Sequence, residues 1–272
     1  MSTNNLIEPM SPNIVYGDNS DFLADLHNTV TSFINNNQSF ITHLNNKVFV
    51  ISLLDSSLSL ENNNNILNHI EKTKKETLDE ILSKFHYLSE KGFTFNVNTT
   101  GIKNENTEIQ KAGSSRFCIQ NKNLSSVINY AIKQLSLNQY VEIDNEKYLY
   151  EGVSKYWRFM SYNQGGEHYP HYDSDFNTFG NQYTKFSCVV YFTNCKSGEL
   201  AFIDDKTEFA ENKEDWDRQA TDSEIVLKIK PKALDVVIFP HDMCHSVLPF
   251  KKDYEDRERV IARGDLIYSK VS

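Results

Sequence analysis

The chain lacks the usual marks of several protein classes. Its four cysteines (Cys118, Cys188, Cys195 and Cys244) form no CxxC pair and are too sparse for a disulfide scaffold, so reduced thiols in an intracellular setting are expected. Basic charge is in deficit: 28 Lys and Arg face 37 Asp and Glu, a net charge of −9. Neutralising phosphates needs a basic surface, so nucleic-acid binding is not expected as the main task, although a local basic groove stays open. No apolar run reaches the length of a membrane span. The start, MSTNNLIEPMSPN, has no basic stretch followed by an apolar one and does not read as a signal peptide. Together these absences predict a cytoplasmic protein, with the nucleus as the alternative, that is not secreted and has no membrane partner.

What is present is unevenly distributed. Of 29 asparagines, 24 lie in the first 150 positions, including the runs 35–37 and 62–65. Such tracts suit loops or loosely ordered insertions, and their simplest source is a compositional bias with no functional content. Between them, residues 66–90 place Ile66, Leu67, Ile70, Leu78, Ile81, Leu82, Phe85 and Leu88 at helical spacing, which predicts an amphipathic helix. Residues 20–34 and 124–136 are further helix candidates, and Val48–Leu54 reads as a short strand. The polar segment 92–112 reads as a linker or a domain boundary. From about residue 150 the pattern becomes β-rich: Tyr156–Tyr162, Phe186–Phe192, Leu200–Ile203, Ile225–Ile229, Val236–Phe239 and Val260–Tyr268 are short runs separated by turn residues. Strands of this length and spacing suggest a sandwich or barrel, here with helices ahead of it. The expected division is an Asn-rich, partly helical region over 1–110 and a second domain over 111–272.

The chemistry-bearing residues lie in that second part. His171 and Asp173 are two apart, so on an extended segment both project to one face. His245 follows the apolar run 234–239 and would arrive from a neighbouring strand. Two imidazoles and a carboxylate form the ligand set of a mononuclear non-haem iron centre that keeps coordination positions open. With eight histidines an HxD tripeptide arises readily by chance, and His171 taken alone reads equally well as a surface or core histidine. His241 rivals His245, and Asp175 rivals Asp173. His168 fits a pocket wall.

The surrounding motifs narrow the choice. Tyr162 is followed three residues on by Gly165 and then by Pro170-His171-Tyr172-Asp173. Tyr191-Phe192-Thr193-Asn194 precedes Ser197-Gly198-Glu199-Leu200, and the run 231–239 ends in Phe239. His245-Ser246-Val247-Leu248-Pro249 comes next, and Arg259-Val260-Ile261-Ala262-Arg263-Gly264-Asp265 opens the last run. In order and content these five blocks, over 156–268, resemble the prolyl 4-hydroxylase-like branch of the iron(II)/2-oxoglutarate-dependent dioxygenases. Departures are His168 in place of an aromatic residue, Ser197 and Leu200 in the glycine turn, and a charged insertion between His245 and Arg259.

That resemblance implies an α+β fold with a double-stranded β-helix (jelly-roll) core buttressed by N-terminal helices. It implies Fe(II) held by His171, Asp173 and His245, with 2-oxoglutarate and O2 as co-substrates and ascorbate as an accessory reductant. Arg259 takes the place of the carboxylate anchor, with Arg263 as the alternative or as a structural ion-pair partner. Tyr162 and Tyr191 would help hold the same co-substrate or serve as core aromatics, and Ser187 is a weaker pocket candidate. The implied activity is hydroxylation of a C–H bond, first of a prolyl side chain in a protein or peptide. Another amino-acid side chain, a small molecule, or a silent binding module of the same fold are the alternatives.

Overall fold

Residues with branched or aromatic side chains dominate the strands, as their patterning predicts. The computed structural model describes residues 14–15, 21–36, 40–43, 47–54, 64–92, 95–97, 114–134, 140–143, 145–173, 177–178, 182–212, 218–251 and 258–271. Ahead of the motifs come β1 (Ile14–Val15), α1 (Ala24–Asn36), β2 (Phe40–His43), β3 (Phe49–Ser52), α2 (Asn64–Glu90) and β4 (Phe95–Val97). They are followed by β5 (Ser114–Gln120), α3 (Lys122–Gln134), β6 (Tyr140–Ile143) and β7 (Glu146–Val153). The motif-bearing half begins with β8 (Tyr156–Tyr162), β9 (His168–His171), β10 (Asn177–Thr178), β11 (Gln182–Tyr191) and β12 (Leu200–Ile203). It ends with α4 (Glu208–Glu211), β13 (Ile225–Ile229), β14 (Asp235–Pro240), β15 (His245–Val247) and β16 (Arg259–Lys270).

In this half the chain crosses back and forth between two antiparallel sheets. Strands β8, β16, β11 and β14 lie side by side in the larger sheet, and β13, β12, β15 and β9 make the smaller one. That alternation is a double-stranded β-helix, the jelly-roll core expected behind the N-terminal helices. The earlier strands extend the larger sheet, with β5 paired to β8 and β3 paired to β14, for example Val236 opposite Ile51.

Strand β11 is buried almost throughout, where strict alternation would leave one face polar. The cause is cover on both sides. Phe186, Cys188 and Val190 face outward and pack with Leu26 and Val30 of α1, Ile81 and Phe85 of α2, and Val127 and Ile128 of α3. Val189 and Tyr191 face inward and pack with Leu200, Phe202, Phe239 and Val247. Burying each such aliphatic or aromatic side chain contributes roughly 1.5–3 kcal/mol, so both layers hold the sheet in place. Asn121, fully buried, accepts the Leu124 amide at the start of α3 and donates to the Phe22 carbonyl. That pairing caps the helix and ties it to the N-terminal turn.

The segment 92–112 departs from the linker expectation where it is described, since β4 pairs antiparallel with β5; its remaining residues lie outside the described set. No helix among the described residues is long and apolar enough to cross a membrane.

Candidate metal centre

The smaller sheet brings the two histidines together. β9 and β15 run antiparallel with His171 directly opposite His245, and their ring centroids lie 4.3 Å apart. The glycine turn ahead of β9 is pinned by backbone bonds, Gly165 N–H to the Phe250 carbonyl and Phe250 N–H to that of Gly166. Asp173, two residues past His171, reaches the same point, and the three potential ligand atoms lie within 4.8 Å of one another. Both imidazoles are turned the same way. His171 Nδ1 is 2.7 Å from the Tyr169 carbonyl oxygen and His245 Nδ1 is 2.9 Å from that of Met243. A carbonyl oxygen only accepts, so each Nδ1 carries the proton and each Nε2 offers a bare lone pair.

The charge states suit a cation. Burial pushes the pKa of His171 and His245 below the ordinary imidazole value, so both are neutral donors at neutral pH. Burial alone would raise Asp173, but the Arg263 guanidinium, with the Ser187 hydrogen bond, overcomes it and holds the carboxyl below the usual carboxylate range. Arg263 grips both oxygens, with Nε 3.2 Å from Oδ2 and Nη2 3.1 Å from Oδ1, and Ser187 Oγ–H also donates to Oδ2. Two neutral nitrogens and one fixed oxygen on one side of a pocket fit a ferrous ion with open positions.

A second cradle lies deeper. Arg259 is fully buried, with its guanidinium carbon 4.5 Å from the Tyr162 ring centroid and 5.7 Å from that of Tyr191. Among the described residues, its Nε and Nη1, together with the Tyr191 hydroxyl, have no hydrogen-bond partner. Burial pushes the Tyr191 hydroxyl up to about 12, against the pull of the Arg259 cation, so it stays a donor. Buried donors without acceptors are costly, and a bound carboxylate would satisfy all of them. The Tyr162 hydroxyl turns instead to the Met160 sulfur at 3.9 Å. Gly198 makes room: at φ 78° it adopts the left-handed conformation, and a Cβ there would lie 2.9 Å from Arg259 Cδ.

The rivals fall elsewhere. His241 Nε2 is 3.2 Å from Asp265 Oδ1, and His241 is not among the three grouped residues. Arg263 is occupied by Asp173 and by Asp265 at 3.1 Å, the ion-pair alternative, and is not left free as Arg259 is. The His168 ring lies tilted against that of His171, centroids 4.0 Å apart, and is pushed down to about 3 by burial, which makes it a neutral wall. Asp175 lies outside the described residues. The triad residues, Arg259, Arg263, Tyr162 and Tyr191 all line one pocket. Sequence reasoning missed Arg116 and Arg158 in the same lining. The available signal was the alternation in β8, where Arg158 shares the inward parity of Met160 and Tyr162.

Residues 157–264 match the family model of the 2OG-Fe(II) oxygenase superfamily. The chain carries a 2OG-Fe(II) oxygenase domain. The enzyme class follows: an oxidoreductase of the dioxygenase type. No curated protein matches the chain. Similar solved structures include a prolyl-4-hydroxylase of Pseudomonas putida, 16% identical over 68% of this chain and 83% of that one, with a TM-score of 0.39. A prolyl hydroxylase of Trichoplax adhaerens, in complex with a hypoxia inducible factor oxygen degradation domain peptide, is 17% identical over 89% of each chain, with a TM-score of 0.42. The viral collagen prolyl hydroxylase of Paramecium Bursaria Chlorella virus-1, in complex with 2OG, is 17% identical over 65% of this chain and 96% of that one, with a TM-score of 0.34.

Proposed function

We propose that this oxygenase domain hydroxylates a C–H bond of a protein or peptide substrate, a prolyl side chain first, with 2-oxoglutarate as co-substrate. The observation that carries the reading is the pairing, in one pocket, of the His171, Asp173 and His245 cluster with the buried Arg259, whose Nε and Nη1 have no acceptor among the described residues. His171 and His245 present Nε2, and Asp173 presents the carboxylate that Arg263 and Ser187 hold in place. When bound, ferrous iron supplies the activation of dioxygen, with 2-oxoglutarate leaving as succinate and carbon dioxide and one oxygen atom passing to the substrate. Arg259 and Tyr191 would receive the far carboxylate of 2-oxoglutarate and so fix its orientation. Phe239, its ring 4.7 Å from that of His245, and Phe202 form an apolar wall that keeps water from the ligand face. The prolyl substrate follows from the resemblance of the motif blocks from Tyr162 to Asp265.

The test is a mass-spectrometric search for peptides about 16 Da heavier after incubation of a host proteome with iron, 2-oxoglutarate and the protein, because hydroxylation adds one oxygen. Products on proline, absent with Asp173→Ala, support the reading. Products on another side chain redirect the substrate claim. No product together with no succinate favours a silent binding module.

A further inference from the structure

The inward face of the larger sheet carries four arginines. In the pairing of β8 with β16, Arg158 lies opposite Arg263 and Tyr162 opposite Arg259. In the pairing of β5 with β8, Cys118 lies opposite Arg158 and Arg116 opposite Met160, so Arg116 and Arg158 are diagonal neighbours on one face. All four line the pocket of the metal centre.

Two of these cations already have a task. Arg263 is held by Asp173 and Asp265, and Arg259 matches the far carboxylate of 2-oxoglutarate. The pocket charge then balances up to a point. A ferrous ion, Asp173, Arg259 and doubly charged 2-oxoglutarate sum to neutrality, and so do Arg263 and Asp265. Among the described residues Arg116 and Arg158 have no carboxylate partner, Arg158 meeting only the Cys118 thiol, and they leave two positive charges facing a pocket in a chain whose net charge is −9.

Arg116 is built like a binding group. It is only 8% exposed; its Nε donates to Ser114 Oγ at 2.9 Å, yet its buried Nη2 has no partner among the described residues. Among the described residues, the titratable groups that act on it are Tyr162, Arg158, Cys118 and Arg263, none of them a carboxylate. It lines the same pocket as His168, whose ring centroid lies 4.0 Å from that of His171. A desolvated guanidinium that lacks an acceptor is costly, and one that meets a carboxylate gains a strong charge-assisted bond.

We propose that Arg116 and Arg158 form an anion subsite that selects substrates bearing a carboxylate close to the carbon to be hydroxylated. The proposal rests on the oxygenase reading above and adds the substrate class. The carboxylate has two available sources: an acidic side chain next to the target residue in a peptide, or the free carboxylate of a small amino-acid derivative. Replacing the acid by its amide keeps size and shape and removes the charge, so the acid should bind at least about tenfold tighter.

The test is anaerobic calorimetry on the full chain loaded with Fe(II) and saturating 2-oxoglutarate. One probe pair is a capped pentapeptide with a central proline followed by aspartate or by asparagine. The other pair is N-acetylproline and N-acetylprolinamide. The expected result is at least a tenfold preference for the acid within one pair, which also identifies the source. Arg116→Gln should reduce that preference to less than threefold while leaving affinity for the amide unchanged. Arg158→Gln, at a more exposed position, gives the same readout should the first variant fold poorly. Equal binding of acid and amide, binding of neither, or a preference that survives both substitutions would overturn the proposal. Affinity of the wild type for 2-oxoglutarate, measured in the same preparation, reports separately on the oxygenase reading.

Discussion

Replacing Arg259 by methionine removes the charge and keeps the length of the side chain. In the wild type the guanidinium is fully buried, beside the rings of Tyr162 and Tyr191, with two nitrogens lacking acceptors among the described residues. A bidentate contact with a carboxylate in such a place is worth about 2–4 kcal/mol, so the variant should bind 2-oxoglutarate roughly 30- to 1,000-fold more weakly. In the ligand-free protein the balance is different. A buried, unpartnered guanidinium costs several kcal/mol, against about 1–2 kcal/mol returned by each aromatic contact. The ligand-free variant should therefore be at least as stable as the wild type, while 2-oxoglutarate no longer raises its melting temperature. Calorimetry on the metal-loaded protein and thermal melts with and without 2-oxoglutarate measure both. Affinity within threefold of wild type would refute the anchor assignment, and a large loss of ligand-free stability would refute the view that the cation awaits an acceptor.

Arg263→Gln should act on the metal instead: with Asp173 released from its bidentate grip, Fe(II) affinity measured by anaerobic titration should drop about 10- to 100-fold. Acid should destabilise the metal-free protein from the histidine side first. His168, His171 and His245 all have pKa values below their ordinary one, so the unfolded chain gains protons near pH 6.5 that the folded chain refuses. Stability present above that pH is then lost as the pH falls, at up to about 1.4 kcal/mol per unit for each histidine and, for His168, down to about 3, with Asp173 adding in the same direction below its ordinary value. Denaturant unfolding at pH 7, 6 and 5 reads the slope, and His168→Asn should flatten it by one histidine. Gly264→Ala should cost about 1–3 kcal/mol in the same assay, because the new Cβ would lie 2.8 Å from the Trp157 ring.

Much of the site was legible because its parts are local. The two-residue step from His171 to Asp173, the glycine turn at Gly165 and the apolar run before His245 each state a strand or turn that can be read without knowing the rest. Arg259 against Arg263 was not decidable that way, since both residues have the same parity on β16 and differ in what lies across the sheet. Asp173 reaches Arg263 from a distant segment, joining Asp265 of the same strand, while Tyr162 and Tyr191 surround Arg259 from two other strands. Arg116 and Arg158 escaped for a related reason. β5 reads as a mixed polar run, and its pairing with β8, which puts Arg116 in the pocket, is set by the tertiary fold. The long apolar run of β11 reads as one buried strand; that its two faces serve two cores appears only once the helices cover one side.

The central claim is that His171, Asp173 and His245 hold one ferrous ion that permits turnover of 2-oxoglutarate. The most direct measurement is succinate formed from 2-oxoglutarate in air by wild type and His171→Ala, alongside the iron bound by each at equilibrium. One iron per wild-type chain with iron-dependent succinate, and neither in the variant, is the expected result. Succinate formation that persists in the variant, or a wild type that binds no iron, would contradict it.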